Sequence, residues 1–128
     1  QKNLQNIIKF YGSTKKMNLI YALSDIVISS STDPEAFGRV SIEAQAMGKL
    51  IIASAHGGSQ ETILEGKTGY LYSPKNPFEL MEKISSAIDQ KTYSSNEMSA
   101  SAIEHIKSNY GKDKMCKKTL EFYQEIIG

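Results

Sequence analysis

Two glutamates flank a glycine at a point where a helix is predicted to begin. Glu35 and Glu43 stand eight positions apart, with Gly38 between them. A glycine there lets the backbone approach a ligand closely, and the free N–H groups of a first helical turn favour an anion such as phosphate. Glu43 could accept hydrogen bonds from two vicinal hydroxyls, as on a ribose. The spacing is compatible with a phosphate site flanked by hydroxyl acceptors. Taken separately, each glutamate could also be an ordinary helix or loop carboxylate.

The elements around this segment follow a strand–helix–strand order. Residues 25–30 (DIVISS) and 50–55 (LIIASA) are compact apolar runs typical of buried strands, and residues 38–47 between them form a helix pattern that ends at Gly48. This spacing predicts a right-handed βαβ unit with parallel strands. Ligands bind outside the carboxyl ends of such strands, which is where the loop at residues 31–38 lies.

The rest of the chain extends the same pattern. We expect a single α/β domain over residues 1–128, a Rossmann-like parallel sheet flanked by helices. Its core should contain Ala44 and Met47 together with the strand residues Ile26, Val27, Ile28, Leu50, Ile51 and Ile52. Further strands are predicted at 6–11 and 69–72, and further helices at 15–24, 59–64, 77–88, 95–106 and 112–127.

A longer motif runs through this region as PEAFGRVSIEAQAMGKLIIASAHGGSQETILEGKTGYLY. It resembles the C-terminal, donor-binding half of GT-B glycosyltransferases, specifically the large retaining family four. Leu50-Ile51 and Gln60 depart from residues that are common in the family, at positions that do not bind ligand. The matching residues are Phe37, Gly38, Glu43, Ala44, Ala46, Gly48, Gly57, Gly58, Glu61, Gly66 and Gly69.

The resemblance implies roles for the residues of the motif. Glu43 matches the glutamate that binds the ribose hydroxyls, and Glu35 matches the catalytic-site glutamate that faces the transferred sugar. The backbone of Phe37, Gly38, Arg39 and Val40 matches the segment that meets the sugar and the diphosphate. Arg39, the only arginine beside 14 lysines, is a further candidate for holding the diphosphate. The implied parent enzyme transfers a sugar from a nucleoside diphosphate sugar to a hydroxyl acceptor with retention, and needs neither a metal nor another cofactor.

Two parts of the family pattern have no counterpart in the chain. The family uses an arginine and a lysine to neutralise the leaving diphosphate, and Lys2 and Lys9 do not stand in the matching context. The acceptor-binding N-terminal domain has no counterpart either. We therefore expect the chain to be part of a longer two-domain enzyme and to be inactive when isolated.

The composition excludes some classes of binding partner and indicates where in the cell the protein is expected. The net charge of +1 gives no electrostatic footprint for nucleic acid, and no apolar stretch reaches the ~20 residues of a transmembrane helix. One cysteine excludes an intramolecular disulfide. We expect a cytoplasmic protein without an integral membrane segment, whose parent could associate peripherally with the inner face of the membrane. Polysaccharide or lipopolysaccharide biosynthesis is the setting that the family's frequency suggests.

Other classes fit the sequence less well. The sequence has no Gly-x-Gly-x-x-Gly and no Gly-x-Ser-x-Gly, and Glu61 occupies the place of the first glycine of a phosphate-binding loop ending at Lys67-Thr68. A receiver domain would need acidic residues near residue 12. Two alternatives stay open: a non-catalytic module that binds sugar nucleotides, and a nucleotide-sugar 2-epimerase of GT-B architecture, against which Phe37-Gly38 argues.

Overall fold

A computed structural model describes residues 4–89 and 96–128 of the chain. Within these ranges, helices flank a small parallel sheet, which confirms the predicted α/β class. The predicted start of a helix at Ser95 lies outside the described residues. The elements are α1 (Met17–Leu23), β1 (Ile26–Ser29), α2 (Arg39–Ala46), β2 (Leu50–Ser54), α3 (Gly58–Thr62), β3 (Tyr70–Tyr72), α4 (Pro77–Asp89), α5 (Asn96–Tyr110) and α6 (Lys112–Ile127).

The sheet has the order β1-β2-β3, and both pairings are parallel. The central strand β2 is buried along its whole length because helices cover both of its faces. Its side chains alternate between two apolar clusters, as the two-residue period of a strand requires. One cluster contains Tyr21, Ala44, Ile51, Ala53 and Ile63, and the other contains Leu50, Ile52, Tyr72 and Ala87.

Three sequence predictions about the strands and the core are wrong. Residues 6–11 do not form a strand, because no other described segment pairs with them and a strand exists only through such pairing. Ile28 is 43 % exposed, since it lies on the edge strand β1. Met47 is 41 % exposed at the end of α2, where it borders a surface cleft instead of the core.

The last two helices differ in how they pack. α5 continues to Tyr110, four residues beyond its predicted end, because no stop signal intervenes before Gly111. α6 has its predicted bounds but buries none of its residues, and its apolar side chains, Phe122 and Ile126 among them, are exposed. None of the helices in the described ranges is long and apolar enough to cross a bilayer.

Candidate functional site

The candidate site begins where β1 and β2 end. The carbonyl oxygen of Ser31, just after β1, accepts hydrogen bonds from Ser54 Oγ at 2.8 Å and from His56 Nε2 at 2.7 Å. Because a carbonyl oxygen can only accept, Nε2 of His56 carries the proton. His56 therefore connects the loop that follows β2 to the loop that follows β1. The sequence alone did not reveal this role. The carboxyl ends of the two strands meet here, as a parallel sheet requires.

A pair of glycines holds the loop that carries Glu35. The N–H of Gly58 donates to the carbonyl oxygen of Glu35 at 2.7 Å. A Cβ on Gly57 would overlap the backbone of Glu35, and a Cβ on Gly58 would lie 2.6 Å from the carbonyl oxygen of Phe37 and 2.7 Å from the nitrogen of Gly38. Two backbone segments thus pack directly against each other. Only residues without a side chain allow so close an approach.

Helix α2 begins at this loop with an open N-terminus. Gly38 precedes the helix with φ +68°, a left-handed conformation that glycine adopts without strain. No side-chain hydrogen bond caps this end among the described residues. The N–H groups of the first turn, including those of Arg39 and Val40, are therefore left uncapped. Together with the helix dipole, these groups can bind an anion.

One turn further along α2, Glu43 forms the centre of a polar cluster. Its Oε2 accepts a hydrogen bond from the Tyr21 hydroxyl at 2.9 Å, and its Oε1 accepts two from Arg39, from Nη2 at 3.0 Å and from Nε at 3.3 Å. Burial, reinforced by the hydrogen bond to Glu43, raises the pKa of Tyr21 to about 12. Since Tyr21 is 4 % exposed whereas the side chain of Arg39 is 80 % exposed, only the tyrosine is fixed by packing.

A cleft of about 590 Å³ opens beside Glu43, a size that falls within the range of small-molecule pockets. It lies between α1 and α2, and Glu43 presents the only carboxylate among the residues that line it. These residues are Thr14, Lys15, Met17, Asn18, Tyr21, Arg39, Glu43, Ala46 and Met47.

The structure thus divides the predicted site residues between two places. Glu43 and Arg39 line the cleft, whereas Glu35, Phe37, Gly38 and Val40 belong to the loop and to the start of α2. The continuous backbone from loop to helix joins the two places. The arrangement can therefore hold an anion at the helix start and hydroxyl groups at Glu43.

Sequence reasoning missed two tyrosines that support this region. Tyr21 was predicted only as part of a helix pattern. Tyr110, at the end of α5, packs edge-on against Phe37 with ring centroids 6.3 Å apart, and its hydroxyl donates to the carbonyl oxygen of Glu61 at 2.8 Å. A tyrosine within the apolar face of a predicted helix can indicate such a contact, because its buried hydroxyl needs a polar partner.

The described residues also bear on metal binding. No group of three or more His, Cys, Asp or Glu side chains lies close enough together in residues 4–89 and 96–128 to hold a metal ion.

One family model and several known proteins match the chain. The sequence model of the family "Glycosyl transferases group 1" matches residues 1–108. The chain is 30 % identical over 126 residues to spore coat protein SA of Bacillus subtilis, covering 98 % of the chain and 33 % of that protein. It is 39 % identical over 80 residues to a lipopolysaccharide 1,2-N-acetylglucosaminetransferase of Salmonella typhimurium, covering 62 % of the chain and 21 % of that enzyme.

Two solved structures are also similar to this chain. A glycosyltransferase from Rickettsia africae superimposes with a TM-score of 0.88 at 38 % identity, over 97 % of this chain and 33 % of that one. Anabaena HepE in complex with UDP gives a TM-score of 0.89 at 28 % identity, over 95 % of this chain and 33 % of that one. The chain spans about a third of the length of these structures.

Proposed function

Because this chain belongs to the glycosyl transferases group 1 family and has the fold of the C-terminal part of a GT-B glycosyltransferase, we propose that it supplies the donor site of a retaining enzyme. The parent enzyme would transfer a sugar from a nucleoside diphosphate sugar to a hydroxyl acceptor. An N-terminal domain outside this chain would bind the acceptor.

The observation that carries this proposal is the position of Glu43 relative to the start of α2. Its carboxylate lies on the cleft, while the same helix presents uncapped N–H groups at its first turn. A nucleoside diphosphate needs both kinds of group, because its ribose offers two donors and its diphosphate is an anion. The UDP complex of HepE, a structural relative, also supports this assignment.

The remaining roles in the proposal follow the order of groups along the donor. Glu35, held through its backbone by Gly58, would face the transferred sugar, position its hydroxyls and stabilise positive charge that develops at the anomeric carbon. The N–H groups at Gly38 to Val40, with Arg39, would stabilise the leaving diphosphate. The proposal includes no metal and no other cofactor.

We further propose that the isolated chain binds nucleotide weakly and does not catalyse transfer. The lysine and arginine that the family uses for the diphosphate are absent from the matching context, and a charge-assisted contact is worth about 1.5–3 kcal/mol. Without the acceptor domain, the rate advantage of proximity is lost. We place the parent in the cytoplasm, at or near the inner face of the membrane, in polysaccharide or lipopolysaccharide synthesis.

The reaction type is tested on the full-length parent by NMR of the product. The proposal predicts that the new glycosidic bond has the anomeric configuration of the donor, and that the rate does not require added magnesium. An inverted anomer would contradict it. A nucleotide sugar inverted at carbon 2 without any acceptor would instead identify an epimerase, and binding without turnover of any donor would identify a non-catalytic module.

Donor binding is tested on the chain itself by calorimetry with UDP, GDP and ADP. We expect at least one of these nucleotides to bind, and Glu43→Gln to weaken it by tenfold or more, the order expected for losing a charged acceptor. Glu82→Gln is the matched control, since Glu82 is exposed on α4 and does not line the cleft. An unchanged affinity of Glu43→Gln would remove Glu43 as the ribose ligand.

A further inference from the structure

Tyr21 connects the apolar core to the candidate site. Its ring belongs to the cluster that also contains Ala44 and Ile51, and 4 % of the residue is exposed. Its hydroxyl reaches out of that cluster to Oε2 of Glu43 at 2.9 Å, across 22 positions of sequence. A ring held by packing presents its hydroxyl from a fixed position.

The hydrogen bonds around Glu43 leave a defined part of the carboxylate open. An ionised carboxylate has about four lone-pair sites, two on each oxygen. Tyr21 uses one site on Oε2. Arg39 donates to Oε1 through both Nη2, at 3.0 Å, and Nε, at 3.3 Å. One acceptor site therefore remains on Oε2, and the sites on Oε1 open when the exposed Arg39 side chain turns away, so the carboxylate can then accept from two hydroxyls on neighbouring carbons.

The two partners of Glu43 are not equivalent. Arg39 is four residues away on the same helix and its side chain is 80 % exposed, so this pair is screened by water and easily broken. The Tyr21 hydroxyl is a fixed donor, because its ring is packed in the core cluster and only 4 % of the residue is exposed. The orientation of the carboxylate therefore depends on Tyr21.

We propose that Tyr21 is a positioning residue, which holds the Glu43 carboxylate so that its oxygens face the vicinal hydroxyls of the donor's ribose. This inference rests on the proposed function, because it assigns Glu43 to the ribose. In this arrangement Tyr21 acts on the donor through Glu43. It lowers the cost of binding by fixing the acceptor before the ligand arrives.

A purely structural Tyr21 would behave differently. If the hydroxyl only stabilised the packing of α1 on α2, its loss would weaken every ligand of the cleft alike. If it orients Glu43 for the ribose, its loss weakens only ligands that carry both ribose hydroxyls. Tyr21→Phe separates these cases, since it keeps the ring in the core and removes only the donor.

The test is calorimetry with UDP and with 2′,3′-dideoxyuridine diphosphate on four proteins: wild type, Tyr21→Phe, Glu43→Gln and Tyr72→Phe. Tyr72→Phe is the control, because Tyr72 is 5 % exposed in the other cluster, away from the cleft. We expect Tyr21→Phe to bind UDP about five- to tenfold more weakly than wild type, as the loss of one hydrogen bond predicts. We expect it to bind the dideoxy nucleotide with unchanged affinity, and Tyr72→Phe to match wild type with both ligands.

Each other outcome overturns a defined statement, provided that circular dichroism shows the variants to be folded. If Tyr21→Phe lowers the affinity for both nucleotides equally, the hydroxyl has a structural role. If it lowers neither affinity, the hydroxyl is dispensable. Either result overturns the proposal for Tyr21 alone. If wild type does not distinguish the two nucleotides, or Glu43→Gln binds UDP normally, the ribose contact itself is wrong. Failure of UDP, GDP and ADP alike to bind would also remove it. In those last cases the proposed donor site fails together with the role of Tyr21. If only GDP or ADP binds, the same comparison is made with that nucleotide and its 2′,3′-dideoxy form.

Discussion

The two glutamates of the candidate site lie on segments that the fold holds by different means. The loop of Glu35 is held through its backbone, by the N–H of Gly58 and by the direct approach of Gly57 and Gly58. The carboxylate of Glu43 is held through its side chain, by Tyr21 and Arg39. One end of the site thus depends on residues without side chains, and the other on the chemistry of three side chains.

This difference predicts how each end responds to change. A backbone contact does not depend on pH or on the residue types in the loop, but it fails when a side chain is added at the glycines. A side-chain cluster changes with the loss of a single hydroxyl and with the protonation of its members. Substitutions that affect one end and not the other therefore test the comparison.

The largest effect on stability is expected in β2, the strand that supports both the Glu35 end and the Glu43 end of the site. Ile51 is fully buried in β2, the central strand of the sheet, so Ile51→Ala should lower the free energy of unfolding by about 2–5 kcal/mol. Urea denaturation followed by circular dichroism measures this change. A loss within experimental error would mean that β2 is not the central support of the site.

Adding a methyl group at Gly58 should break the backbone contact at the Glu35 end. The atoms that a Cβ would meet belong to the backbone and cannot rotate away, so we expect Gly58→Ala to cost about 3 kcal/mol, the upper end of the overpacking range. The same urea denaturation measures the cost, and calorimetry measures the loss of UDP affinity.

Two other glycines serve as controls for that substitution. Gly66 has φ +74° but nothing within 4 Å, so Gly66→Ala should cost only about 1–2 kcal/mol from backbone strain. Gly12 has neither constraint, and Gly12→Ala should leave stability unchanged. If Gly58→Ala is no worse than Gly12→Ala, the loop does not depend on the glycine pair.

The Glu43 end should respond to alkaline pH. The pKa of Tyr21 is about 12 in the folded chain and 10 in the unfolded chain, so its contribution to stability is fully present below pH 10 and is lost as the pH rises to 12. The stability of Tyr21→Phe should therefore converge toward that of wild type across this window. Denaturation of both proteins between pH 8 and pH 12, spanning these two pKa values, measures the difference. Parallel curves would contradict the assigned environment of Tyr21.

The smallest effect is expected for the exposed partner of Glu43. Arg39→Gln should change the free energy of unfolding by less than about 1 kcal/mol, because a solvent-exposed ion pair gains little. Lys117→Gln is a matched control, since Lys117 and Glu121 form an exposed pair with the same spacing on α6. A much larger loss for Arg39→Gln than for Lys117→Gln would show that Arg39 helps to fix Glu43.

Sequence patterns predicted the elements that have a strong local signal. The strands β1 and β2 and the helices α2, α4 and α6 lie close to their predicted bounds, because period and stop signals are local properties. The run at residues 6–11 has the composition of a strand but no strand beside it among the described residues. Pairing is a property of the whole fold, so composition alone could not decide this point.

The candidate site was predictable only in part for the same reason. The start of α2 at Gly38 could be inferred from residue types that are close in sequence. The contact between Tyr21 and Glu43 joins two helices, and the prediction of a helix at residues 15–24 does not say which of its side chains faces α2. The fit of Gly57 and Gly58 against the loop likewise depends on how the two strand ends meet.

The central claim is that a nucleoside diphosphate binds across α2, with its phosphates at the helix start and its ribose at Glu43. The most direct measurement is a titration of the ¹⁵N-labelled chain with UDP, followed in ¹H–¹⁵N correlation spectra, which detect even weak binding. We predict that the largest shifts occur at the N–H groups of Gly38, Arg39, Val40 and Glu43, and that signals of α6 such as Phe122 stay in place. Saturable shifts confined to α4 or α6, with the α2 signals unmoved, would contradict the claim.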